Sequence, residues 1–372
     1  MCSDAWLTIL HAAFPGTPGV LELFRAQATA ANVINLPRQE LTTAGLDAST
    51  VARLQSPDTE LLTNWRRWLE RPGHSLVTVD SPHYPPLLQS LPDAPLALWL
   101  VGTRPDLLRA PQLAMVGSRN PTRSGRETAE RFARYLSDRG LTITSGLATG
   151  IDGACHRGGL AGEAGTVAIL GSGLDVIYPK THAALAQRII ADGLLISEYP
   201  PETPPRSLHF PQRNRIMAGL SVGTLVVEAA RRSGSLITAR LAAEYGRDVF
   251  AIPGSIHSPL AKGCHRLIKD GAKLVEDAAD VFVELTSLLQ VLNSDKVPAA
   301  ESEIHAGSLT ERPGYPQLLE TMGFEPCTLG EMSERTRLTT AELSSMLMQL
   351  ELDELVEALP GGRYCRLPKR TA

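Results

Sequence analysis

The chain is short of paired cysteine. Its five cysteines (Cys2, Cys155, Cys264, Cys327 and Cys365) are scattered and odd in number, with no C-x-x-C. Neither a disulfide framework nor a zinc pattern is expected, and a reduced, cytoplasmic protein without bound metal is. Aromatic residues are only 5% of the chain, which limits any site built on ring stacking. No apolar run approaches the roughly 18 residues of a membrane span, and the N-terminus shows no basic region followed by an apolar one. A net charge of −4 gives no global attraction to polyanions, so any such binding must come from a local patch. There is no Walker lysine loop, no H-E-x-x-H helix and no G-x-S-x-G elbow. No catalytic constellation is evident, no cofactor is implied and no enzyme is expected.

What the chain does have is length and order. With 372 residues, 43% of them hydrophobic, it can form two or three domains with a sizeable core. From Leu107 to Val283 short apolar runs alternate with amphipathic stretches. Strands are expected at Leu113–Gly117, Leu141–Thr144, Thr166–Leu170, Leu194–Ser197, Thr224–Val227 and Val249–Ile252. Helices are expected at Gly125–Asp138, Asp152–Ala161, Ala183–Asp192, Asn214–Leu220 and Ser235–Tyr245. Continuous Val/Ile/Leu runs separated by helices indicate a parallel sheet covered on both faces. Right-handed crossovers make it an extended, Rossmann-like doubly wound α/β domain, which binds ligands beyond the carboxyl ends of its strands. The domains expected are small helices over 1–75, the Rossmann-like part over 76–285 (entered through a proline-rich connector, Ser81 to Pro95), an acidic linker over 286–315 and a winged helix over 316–372. The last rests on helices at Leu329–Thr336 and Thr340–Leu355, then a hairpin turning at Gly361-Gly362.

Several loops of the central part could carry chemistry. His209-Phe210-Pro211-Gln212-Arg213-Asn214-Arg215 sets two cations and an amide at what reads as a helix start, a combination that suits a phosphate diester. Gly117-Ser118-Arg119 lies between a strand and a helix, where glycine allows close backbone approach and Arg119 offers a bidentate fork. Ser145-Gly146-Leu147-Ala148-Thr149-Gly150 either cradles a ligand or lets helix and strand pack closely. Asp152, Cys155 and His156 share a helical face, with Asp152 expected as an N-cap and His156 packed near it. Gly171-Ser172-Gly173 leads to Lys180, a candidate phosphate contact at a helix start. Between Arg206 and Lys273 there are eleven Lys and Arg against four Asp and Glu. In an acidic chain that excess marks a candidate nucleic-acid track.

Seven blocks come in order: V-G-S-R at 116–119, S-G-L-A-T-G-I-D at 145–152, G-S-G-L-D-V-I-Y-P-K at 171–180, S-E-Y-P at 197–200, F-P-Q-R-N-R-I-M-A-G-L-S at 210–221, R-S-G-S-L-I-T-A at 232–239 and G-R-D-V-F-A-I-P-G at 246–254. Together they resemble the DNA-processing protein A family (DprA/Smf). The resemblance implies an extended Rossmann fold that binds and protects single-stranded DNA and loads the RecA recombinase during natural transformation. It also implies a homodimer through the central domain. Matched motif by motif, the DNA-contacting positions it implies are Gly117, Ser118, Arg119, Lys180, Arg213, Asn214, Arg215 and Arg232. Cys155 departs from the family pattern, standing where alanine is usual. The N-terminal part is similar only to a degenerate helix-hairpin-helix or SAM-like domain, and no DNA role is assigned to it.

Backbone donors and arginines at the edge of a parallel sheet hold phosphates without reading base edges, so binding is expected to tolerate any sequence, with Phe210 as a packing residue. The helix expected over Thr340–Glu357 carries five carboxylates and no Lys or Arg. The major groove would repel it, so a protein-contacting or dimer-supporting role is expected for the winged helix. An alternative comes from Gly219-Leu220-Ser221-Val222-Gly223-Thr224 with Glu228. This stretch partly resembles the loop of Lonely-guy-type nucleotide phosphoribohydrolases, in which a glutamate acts in hydrolysis.

Overall fold

The structure is a computed structural model. It describes residues 4–285 except 16, 18 and 28, and residues 315–366 except 323–326, 337, 340–342, 344, 345, 348, 349, 352–354 and 360–362. Six short helices come first: α1 (Asp4–Ala12), α2 (Val20–Gln27), α3 (Ala30–Ile34), α4 (Arg38–Thr43), α5 (Ala48–Gln55) and α6 (Thr59–Leu69). Aspartates set two of their starts. Asp47 accepts from the N–H groups of Ser49 and Thr50, and Asp58 from those of Glu60 and Leu61, satisfying donors that have no partner inside the helix.

Nine strands then form one sheet: β1 (His74–Thr78), β2 (Ala97–Gly102), β3 (Gln112–Val116), β4 (Thr142–Ser145), β5 (Thr166–Leu170), β6 (Leu194–Ser197), β7 (Gly223–Val226), β8 (Asp248–Ala251) and β9 (Lys273–Leu274). Their order is β1-β2-β6-β5-β4-β3-β7-β8-β9. Strands β3 to β9 run parallel, while β1 and β2 form an antiparallel extension beside β6. Every residue of β3, β4, β5, β6 and β7 is buried, as two covered faces require. Between the strands run α7 (Pro86–Gln89), α8 (Arg123–Ser137), α9 (Ile151–Leu160), α10 (Ala183–Asp192), α11 (His209–Leu220), α12 (Ser235–Glu244) and α13 (Lys262–Lys269). The chain winds outward from β3 through β4, β5 and β6, then returns to place β7 on the other side of β3. The carboxyl ends of β3 and β7 therefore form the switch point of a doubly wound sheet.

Strands β1 and β2 were not expected. They put the N-terminal helices onto the sheet: Trp65 and Trp68 meet Trp99 of β2 edge-on at 5.5 and 5.4 Å, and Trp68 Nε1 donates to Asp175 Oδ1 at 2.7 Å. The helices thus share the sheet's core, and contacts group Met1–Lys296 into one compact unit.

The second unit, Val297–Ala372, contains α14 (Tyr315–Met322), α15 (Leu329–Thr336) and a three-stranded sheet of β10 (Cys327–Thr328), β11 (Val356–Leu359) and β12 (Arg363–Arg366) in the order β10-β12-β11. Leu318, Leu319, Met322, Met332, Leu343, Leu347 and Leu350 form its core. Much of the helix expected over Thr340–Leu355, the turn at Gly361-Gly362 and the linker up to residue 314 lie outside the described residues. No helix among the described residues is long and apolar enough to cross a membrane.

Candidate nucleic-acid interface

A groove of about 780 Å³ opens at the switch point. The β3 loop contributes Gly117, Ser118 and Arg119, and the β7 loop contributes Ala230, Ser233 and Gly234. Its far wall is the first half of α11, with Phe210, Arg213 and Asn214. Five of the eight residues singled out in the sequence therefore meet here. Lys180 and Arg232 are exposed and do not line the groove. Arg232 falls between the lining residues Ala230 and Ser233, and Lys180 two residues beyond the lining residue Tyr178.

Helix α11 begins at His209, not at Asn214 as the sequence suggested. Pro211 is the third residue of that helix. In the first turn its missing N–H has no intrahelical partner to lose, so the helix runs through it. Arg213 and Asn214 are consequently one turn inside the helix, and what they offer a ligand is their side chains rather than free backbone N–H groups.

Arg213 is 4% exposed. One of its NH groups donates to the carbonyl of Ile169, its Nε has no partner, and no carboxylate comes within 4.0 Å among the described residues. Burial lowers its pKa to about 10, partly countered by Asp152. A guanidinium this deep without a paired anion is costly to leave alone. Asn214 reaches across to the β7 loop, its Nδ2 donating to Gly234 O at 3.5 Å. Arg119 is exposed, and its guanidinium lies 5.9 Å from the centroid of the Phe210 ring. Phe210 in turn lies 5.5 Å from Tyr178, so it packs while also lining the groove.

Arg215 departs from the expected set. Two residues on from Arg213, it faces away from the groove, into a separate cavity of about 350 Å³ between the N-terminal helices and the sheet. There it donates to both carboxylate oxygens of Glu198 at 2.5 and 2.6 Å and to Asp93 O at 2.6 Å. With that fork already occupied, Arg215 is a structural ion pair and does not join the groove.

The Ser145–Gly150 loop brings Ala148 to the groove, and α9 holds the loop by two side chains. Asp152 was expected to cap α9, yet the N-cap is Gly150. Asp152 turns back instead and accepts from the N–H groups of Gly146 (3.2 Å) and Ala148 (3.3 Å). His156 is fully buried. Its Nδ1 meets Thr166 Oγ1 at 2.8 Å, and because that hydroxyl donates to Ile143 O, Nδ1 carries the proton. Nε2 is then free to accept from Leu147 N at 3.2 Å, and burial drives the pKa of the ring down to about 3. His182 Nδ1 donates to the carbonyl of the same Leu147 at 2.9 Å. This residue has φ 56°, a left-handed conformation that leucine adopts only when its surroundings impose it. The loop is thus held rigid as well as closely packed. No three His, Cys, Asp or Glu among the described residues gather as a metal site.

Residues 75–286 match the family model described as DNA recombination-mediator protein A, and residues 305–362 match the DprA winged helix domain. The chain belongs to the DNA recombination-mediator protein A (DprA/Smf) family. Protein Smf of Escherichia coli is 43% identical over 302 residues, covering 81% of this chain and 79% of that protein. DNA processing protein DprA of Streptococcus pneumoniae is 49% identical over 201 residues, 54% of this chain and 71% of that one. The X-ray structure of the Streptococcus pneumoniae DprA superposes with a TM-score of 0.68 at 37% identity, covering 76% of this chain and 98% of that chain. A Helicobacter pylori DprA structure, described by its single-stranded DNA binding mode, has a TM-score of 0.50 at 28% identity, over 60% of this chain and 96% of that one. The family's winged helix is accordingly the second unit of this chain.

Proposed function

We propose that the groove at the β3–β7 switch point binds single-stranded DNA by its phosphates, without reading base identity. The observation that carries this reading is Arg213, a buried cation lining the groove that has no carboxylate within 4.0 Å among the described residues and is offset only through space by Asp152. Arg119 adds a second, exposed cation, and Ser118, Ser233 and Ser235 add hydroxyls. The N-terminus of α12 opens onto the same space, where its dipole favours an anion. A relative described by its single-stranded DNA binding mode supports the same reading. Family membership extends it to protection of incoming DNA and loading of RecA in natural transformation, in the cytoplasm, by a homodimer formed through the central domain. Lys180 and Arg232 belong to the proposal as flanking contacts, whereas Arg215 does not.

The test is a salt titration with single- and double-stranded oligonucleotides of graded length. Single-strand affinity is expected to fall on a log–log plot with a slope of about −0.7 per phosphate neutralised. A salt-independent affinity, or a preference for duplex, would overturn the reading.

The hydrolase alternative requires Glu228 to face a nucleotide. Glu228 instead accepts from Thr122 N (2.9 Å) and Thr122 Oγ1 (2.6 Å) and lines a different cavity of about 240 Å³. Base release from AMP, measured beside oligonucleotide binding, separates the two readings.

A further inference from the structure

Glu228 leaves the end of β7, and the two hydrogen bonds it accepts from Thr122 join segments 106 residues apart. Thr122 also caps α8, its Oγ1 accepting from Gly125 N at 2.9 Å. The seat is built for a carboxylate: a Cβ on Gly125 would come within 2.4 Å of the Glu228 side chain. The segment around Glu228 is itself fixed, since Val227 N donates to Val116 O and Ala229 N to Leu260 O. The loop tied by this clamp is the one carrying Ser118 and Arg119. On its other side it is held where Ile151 N donates to Ser118 O at 3.1 Å. Among the described residues the Arg119 guanidinium has no hydrogen bond or ion pair, so the backbone of its loop and the ring of Phe210 set its position.

We infer that Glu228 is a positioning residue, clamping the β3 loop through Thr122 so that Arg119 stands over the groove. The inference rests on the proposed binding of single-stranded DNA in that groove. It carries a sign that separates it from simple electrostatics. A carboxylate near a phosphate track repels it, so if Glu228 were only a nearby charge, removing it would tighten binding. If it is a clamp, removing it weakens binding.

The experiment compares wild type, Glu228→Ala, Glu228→Gln and Thr122→Val on a labelled oligothymidylate, with amide hydrogen exchange of the free proteins read at residues 117–122. Glu228→Ala is expected to weaken binding about tenfold, the effect of one charge-assisted hydrogen bond. Glu228→Gln keeps one acceptor oxygen and falls between it and wild type. Thr122→Val, at an exposed site, weakens binding too, and adds nothing when combined with Glu228→Ala. Exchange at Thr122 and Asn120 quickens in Glu228→Ala without any DNA present. Equal or tighter binding by Glu228→Ala and Glu228→Gln overturns the clamp alone. Absence of salt-dependent binding by the wild type overturns the DNA reading beneath it, and the clamp's role with it. Unchanged exchange also overturns the clamp, whatever the affinities.

Discussion

Helix α11 separates two cavities and sends one arginine into each. Arg215, on the side of the N-terminal helices, meets Glu198 through one nitrogen that donates to both carboxylate oxygens, with side chains 13% and 7% exposed. Burial would pull its pKa down, but Glu198 and Asp93 outweigh that and leave it raised. Arg213, on the side of the switch point, is as deeply buried and has no such partner. The two differ by two positions in sequence, yet one charge is paired inside the protein and the other has no carboxylate within 4.0 Å among the described residues. Buried cations therefore have to be read with their partners, because a guanidinium already matched holds the fold while an unmatched one waits for an anion.

The largest effect expected from this contrast is on stability. Glu198→Ala leaves the buried Arg215 only the half-exposed Asp93, 3.7 Å from its Nε, which should cost about 3 kcal/mol in denaturant unfolding. Single-strand affinity of the protein that remains folded should barely change. A stability loss under 1 kcal/mol, in the range of exposed pairs, would break the contrast.

The second concerns the loop that brings Ala148 to the groove. His156 is neutral in the fold with a pKa of about 3, against 6.5 for the ordinary side chain. Between those values the unfolded chain binds a proton that the folded one does not. The contribution of His156 is thus complete above about pH 6.5 and is lost as pH falls toward 3, at about 1.4 kcal/mol per unit. Denaturant titrations across that window should show the slope in wild type and a flatter one in His156→Gln.

Arg213→Met should invert the outcome of Glu198→Ala. It removes the hydrogen bond to Ile169 but also an unpaired buried charge, so stability is expected to stay within about 1 kcal/mol of wild type. Single-strand binding should weaken by more than about tenfold. Normal affinity in a stable Arg213→Met protein would refute the reading of its missing partner. The smallest effect is expected for Arg119→Ala, whose exposed guanidinium should contribute about one phosphate contact. Its salt slope should be shallower by about 0.7, measured by the same titration.

The parallel sheet was legible because β3, β5 and β6 are unbroken apolar runs, which two covered faces demand. Strand β2, Ala-Leu-Trp-Leu-Val-Gly, is just as apolar, but the prolines before it make the whole passage read as a connector. Strand β1 is short, lies at the sheet's edge and is only partly buried, so it carries little pattern. Most groove residues could be found because they sit directly after strands, where a doubly wound sheet keeps its ligands. The diversion of Arg215 could not be found this way. Its partners are 17 and 122 residues distant, and nothing local distinguishes it from Arg213. The clamp between Thr122 and Glu228 was hidden for the same reason.

All four tryptophans of the chain, Trp6, Trp65, Trp68 and Trp99, are buried in the N-terminal helices or in β2, and none lines the groove. The intrinsic ultraviolet emission of this protein is accordingly a built-in gauge of how the helical layer sits on the sheet. Emission that shifts in denaturant before DNA binding is lost would reveal the helical layer lifting away as a separate event. Emission that stays constant while DNA is titrated would place the response to ligand away from the helical layer.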